Sequence, residues 1–143
     1  MYKRLSIPPP LNRGDAIGFV SPSAGLAPFA MHRIEKAAAS LAQLGYKVKI
    51  ADNALKNQGY ISANIPDRTN DIHEMFLDKE VRLIMATIGG NHSNQLISKL
   101  DYKIIKKNPK IFIGYSDITV LHYAIQSQTS LATYYGPCAM TQF

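Results

Sequence analysis

The sequence predicts an α/β fold built on an open, mostly parallel sheet with helices on both faces. Two observations carry this. Compact apolar runs alternate along the chain with helix-period segments of ten or more residues, and turn-forming residues stand at the junctions. Parallel neighbours need a crossover connection of that length, whereas antiparallel ones do not.

"AIGFV" (16–20) reads as the first strand, halted by "SPSAG". From Phe29 to Leu44 the apolar residues Ala30, Ile34, Ala37, Ala38, Leu41 and Leu44 recur at three- and four-residue steps, so a helix is expected there, ending at Gly45. "YKVKI" (46–50) alternates as a strand with one wetter face, and a second helix runs through Ile72, Met75 and Phe76 from a start at Pro66 or Asp67. "VRLIMATIGG" (81–90) is a third strand closed by two glycines, with "NHSNQLISKL" as a short helix behind it. "KIFIGYS" is a fourth strand, and "DITVLHYAIQSQ" follows as a helix with Ile118, Leu121, His122 and Ile125 on one face. "LATYYGP" completes the pattern as a fifth strand. The expected result is one domain over 1–143, three-layered in the Rossmann or flavodoxin manner.

Bulk properties narrow the function. A chain of 143 residues, 46% of them hydrophobic, can bury about 68% of its unfolded surface and build a core. The net charge of +6 is scattered. Its densest group, Lys103, Lys106, Lys107 and Lys110, reads as a solvated helix face, and no aromatic platform accompanies it, so nucleic acid is not expected as a partner. Cys138 is the only cysteine, which excludes an internal disulfide and leaves a cysteine-based metal site without ligands. No signal-like or membrane-spanning apolar run occurs, and the expectation is a cytoplasmic protein away from membranes.

In open α/β sheets ligands gather beyond the C-terminal ends of the strands. Three loops fall there: "SPS" (21–23), "TIGGNHSN" (87–94) and "GYSD" (114–117). Ser116 sits where a strand passes into a helix, a place that can raise a hydroxyl above the sheet as a nucleophile. The same spacing also suits a plain helix cap, and the usual elbow G-x-S-x-G is not met, because Ile118 stands at the second glycine position. Gly89 and Gly90 can leave their amides free for an anion, or can simply make a tight turn capped by Asn91 or Ser93. Neither G-x-G-x-x-G nor a Walker loop is present, so no nucleotide cofactor is implied. His32, His73 and His122 fall in predicted helices, and His92 lies in the glycine loop without a visible carboxylate partner. A base for the serine is missing.

At these residues the chain resembles the LD-carboxypeptidase family, serine peptidases that include the microcin C immunity-type proteins. The resemblance runs from "GDAIGFVSPS" through "GYISANIPDRTNDIHEMFLDKEVRLIMATIGGNHSNQLISKLDY" and "NPKIFIGYSDITVLHYA" to "TYYGP", about 125 of the 143 residues. It implies a Ser-Glu-His triad with Ser116 as nucleophile, and an oxyanion hole from the backbone amides of Gly90, with Gly89 beside it, and Asp117. Gly89, Asn91 and His92 would then face the substrate. The family's Glu and His come from a C-terminal domain about as large again, so this chain is expected to be the N-terminal half of a two-domain enzyme and inactive alone. No cofactor or metal is implied, and a homodimer is. The loop Thr87 to Asn94 lacks the arginine before the glycines that is usual in the carboxypeptidase branch and lies nearer the microcin-immunity branch. Murein L,D-peptides and peptidyl-nucleotides both stay open as substrates. Two other classes remain beside hydrolysis: a non-catalytic module binding a small anion, and a dimerisation domain with a bare apolar tail, "TYYGPCAMTQF".

Overall fold

The computed structural model describes residues 4–143. Strand β1 (Ala16–Val20) is buried along its whole length and divides its side chains between two cores, Ala16 and Val20 on one face, Ile17 and Phe19 on the other. It pairs in parallel with β2 (Lys47–Ile50) on one side and β3 (Val81–Ala86) on the other. β4 (Ile111–Gly114) adds to β3, and the short β5 (Tyr134–Tyr135) adds to β4, also in parallel. The order is β2-β1-β3-β4-β5, the open parallel sheet expected.

Helices cover both faces. α1 (Met31–Gln43) places Ile34, Ala37 and Leu41 on the Ile17 and Phe19 face, where α5 (Ala139–Gln142) joins it with Ala139 and Met140. α2 (Ile65–Leu77), α3 (Tyr102–Lys107) and α4 (Thr119–Thr129) cover the opposite face through Ile72, Phe76, Ile105, Leu121 and Ile125. Among the described residues no helix is long and apolar enough to cross a membrane.

Four expectations are corrected. α2 starts at Ile65, one residue before Pro66 and two before Asp67, because the Asn64 side chain accepts the Asp67 amide at 2.8 Å and caps it, with Pro66 just inside. The segment behind the glycine loop makes only a single 3-10 turn, Ser93–Leu96, since the chain must turn again at Asp101, whose carboxylate caps α3. Lys103, Lys106 and Lys107 are exposed on α3, but Lys110 is 5% exposed, its ammonium donating to the carbonyls of Met75 (2.8 Å) and Asp78 at the end of α2. The C-terminal tail is not bare: Cys138, Ala139 and Met140 are buried, the Met140 amide donates to the Thr87 carbonyl at 2.9 Å, and Arg33 donates to the Met140 carbonyl at 3.0 Å. The large apolar side chains exposed at this end are Tyr134 and Tyr135.

Candidate active site

The sheet order reverses between β1 and β3, since the chain lays β2 on one side of β1 and returns to lay β3 on the other. That switch point is where loops diverge and leave a crevice. The first residues beyond the two strands are joined there: the Ser21 hydroxyl donates to the Ala54 carbonyl at 2.6 Å and stands 2.6 Å from the Thr87 hydroxyl. Arg68, from the first turn of α2, reaches under both loops. It is 1% exposed and donates to the carbonyls of Pro22 (2.8 Å) and His92 (3.3 Å) and to the Gln95 side chain (2.5 Å). Burial disfavours its charge, and the nearby Asp117 carboxylate supports it.

Ser116 follows β4 by two residues. Its backbone is left-handed, φ +62°, an uncommon state for a residue with a side chain, costing of order 1 kcal/mol or more and found where a fold over-determines it. Tyr115 before it is extended, and the 3-10 turn Ser116–Ile118 leads straight into α4. No side-chain hydrogen bond caps either start, so Ser116 is not a plain helix cap. Its side chain is exposed at the end of the sheet. This is a strand-turn-helix elbow, reached without the second glycine of the usual motif because Ile118 turns into the core.

The diglycine bend lies against that serine. A Cβ on Gly89 would stand 3.1 Å from Ser116 Cβ, 3.2 Å from its Oγ and 3.4 Å from the Asp117 amide nitrogen. Gly90 has φ +150° and packs on Ser23, leaving no room for a side chain. The Gly89 carbonyl accepts the Ala24 amide at 3.2 Å, so the loops after β1 and β3 are laced together.

Beyond the glycines, neither Asn91 nor Ser93 caps the turn. The capping is done from a distance by Asp117, whose Oδ2 accepts the amides of His92 (3.0 Å) and Ser93 (2.9 Å). The His92 amide also reaches the Ser23 hydroxyl oxygen at 3.0 Å. Burial alone would raise the Asp117 carboxyl, but hydrogen bonds from the Ser23 hydroxyl and from the Ser93 and His92 amides outweigh it and hold the group below its ordinary range. Asn91 is exposed, and the His92 ring packs against exposed Tyr60 with centroids 4.5 Å apart and the ring planes tilted by 31°.

The histidines do not complete a triad. His32 is exposed on α1. His73 Nε2 accepts the Asp101 amide at 2.8 Å. His122 Nε2 lies 2.9 Å from the Gly114 carbonyl, its ring edge-on to Phe112, and burial pushes its pKa down. Sequence reasoning singled out Ser116, Gly89, Gly90, His92 and Asp117, which the fold brings together, Asn91, which is exposed beside them, and the loop holding Ser23; it missed Arg68, Tyr60, the contact of Ser23 with the His92 amide and the use of the Asp117 side chain.

Most of the chain is similar to known proteins. Residues 17–136 match the sequence model of the LD-carboxypeptidase N-terminal domain. A probable murein peptide carboxypeptidase of Bacillus subtilis is 41% identical over 135 residues, covering 94% of this chain and 41% of the relative. The microcin C7 self-immunity protein MccF of Escherichia coli is 40% identical over 134 residues, covering 94% and 39%. A solved structure of MccF in complex with aspartyl sulfamoyl adenosine superposes with a TM-score of 0.90 at 39% identity, covering 93% of this chain and 40% of that one. The chain spans about 40% of the length of the curated relatives it matches. With the match running from β1 to the residue after β5, this chain belongs to the LD-carboxypeptidase family.

Proposed function

We propose that this chain is the nucleophile-bearing N-terminal domain of a serine hydrolase that cleaves an amide bond next to a free carboxylate. The observation that carries the reading is Ser116, exposed and left-handed at the end of β4 with Gly89 against its hydroxyl. Ser116 Oγ attacks the scissile carbonyl carbon, and the amides of Gly90 and Asp117 receive the negative charge that develops on its oxygen. Two such preorganised donors lower the barrier by about 3 to 4 kcal/mol each. Gly89 keeps the approach to the hydroxyl open, and Asn91 and the His92 ring face the substrate. A histidine supplied by a further domain, oriented by a glutamate from that domain, takes the proton from Ser116 and returns it to the leaving amine; on this reading the chain is inactive alone.

The substrate is a small peptide or a peptidyl-nucleotide, in keeping with the murein peptide carboxypeptidase and with the MccF complexes holding sulfamoyl nucleosides. A reducing, cytoplasmic setting suits a chain whose one cysteine is buried and unpaired. Pairing of the full-length protein into a homodimer rests on the family resemblance.

The test uses the protein expressed from its complete reading frame, with a murein tetrapeptide and aspartyl sulfamoyl adenosine as substrates. Turnover of at least one is expected, falling about 10³-fold or more in Ser116→Ala. Binding without turnover in the parent protein, with unchanged affinity in Ser116→Ala, would instead support a non-catalytic binding module.

A further inference from the structure

We propose that Asp117 is a positioning residue whose carboxylate fixes the Gly89-Gly90 bend over Ser116, a role that rests on the hydrolase reading above. The geometry is specific. Asp117 follows Ser116 directly, so its side chain is anchored in the same elbow as the hydroxyl. From there a single oxygen, Oδ2, takes the amides of His92 at 3.0 Å and Ser93 at 2.9 Å, the residues that end the bend. The bend and the nucleophile are therefore clamped to each other by one side chain instead of being set separately by their own strands.

Two further contacts tighten the clamp. The Ser23 hydroxyl oxygen accepts the His92 amide at 3.0 Å, and the Ser23 side chain fills the space beside Gly90. On its other side the His92 carbonyl is held by the buried Arg68 guanidinium at 3.3 Å. His92 is thus gripped at both its N–H and its C=O, by groups of opposite charge. Hydrogen bonds to an ionised acceptor are about twice as strong as neutral ones. A carboxylate spent on these donors also presents less field to an oxyanion forming close by, which a free carboxylate would oppose.

A purely structural cap on the 3-10 turn at 93–96 would give stability alone. The positioning role differs because a bend that moves by about 1 Å misplaces oxyanion donors and can lower turnover about 10²-fold while leaving ground-state binding intact. The experiment uses the protein expressed from its complete reading frame, with hydrogen exchange read at the His92 and Ser93 amides and kinetics read on whichever substrate is turned over. Asp117→Asn is expected to lower kcat about 10²-fold with KM within about threefold, and to speed exchange at both amides. A kcat within about threefold of the parent, with Ser116→Ala inactive, overturns the proposal and leaves the hydrolase reading standing. If Asp117→Asn does not fold, Ser23→Ala serves in its place: a kcat loss of about 10-fold supports the clamp, and an unchanged kcat overturns it. Should Ser116→Ala remain active, the hydrolase reading itself fails, and unchanged amide exchange in Asp117→Asn would then also remove the clamp.

Discussion

Gly89 faces Ser116 so closely that a methyl group in its place would stand 3.2 Å from the hydroxyl oxygen and 3.4 Å from the Asp117 amide nitrogen. That gap is wide enough for the bend to pass and too narrow for a side chain to share it without shifting one of the two. Gly89→Ala is expected to keep the fold, because its backbone is not left-handed, and to slow reaction of Ser116 by about 10- to 100-fold. Labelling rates with a serine-directed fluorophosphonate, beside a thermal melt, check both parts.

Gly90 makes the opposite case. Its φ of +150° is rarely adopted by a residue with a side chain, and a Cβ there would run into the Ser23 hydroxyl. Gly90→Ala should therefore lower unfolding free energy by about 1 to 3 kcal/mol, read from urea denaturation. Stability equal to the parent would show that the bend has slack.

Arg68 ties three carbonyl oxygens of two loops and the base of the bend to α2 from a buried position. Arg68→Met removes donors from buried acceptors and should destabilise by about 2 to 4 kcal/mol. Arg68→Lys should recover little of this, since an ammonium cannot span the same planar fork. Denaturant midpoints of the two variants test the order.

Lys110 gives a pH signature. Burial lowers its pKa to about 8 against 10.5 for the free side chain, with Asp78 opposing the shift and Arg82 and Lys49 adding to it. Between pH 8 and 10.5 the unfolded chain holds more protons at this site than the folded one, so its contribution to stability rises with pH through that window. Below pH 8 the penalty for burying the charge is fully present. Unfolding free energy of the parent should climb relative to Lys110→Met from pH 8 to 10.5; parallel curves would contradict the assignment.

Much of this was legible in the sequence because it is local. The apolar runs placed β1, β3 and β4 and the three- and four-residue periods placed α1, α2 and α4. Ser116 and the two glycines stood out because strand ends followed by helix starts are where such sheets bind ligands. What escaped is long-range. The Asp117 carboxylate meets amides 25 and 24 residues away, and Ser23 meets the His92 amide across 69 residues, so no spacing rule could connect them. Lys110 looked like a member of the exposed lysine group because four lysines within eight residues do not reveal which one precedes a strand and turns under α2. The Asn64 cap was overlooked because Pro66 and Asp67 gave a competing start signal two residues later.

The central claim is that Ser116 is held out of the fold as a nucleophile. Its most direct test is mass spectrometry of the protein from its complete reading frame after treatment with a fluorophosphonate. One covalent adduct is expected per chain, on the peptide containing Ser116, and absent in Ser116→Ala. An adduct on another residue, or equal labelling of Ser116→Ala, would contradict the account.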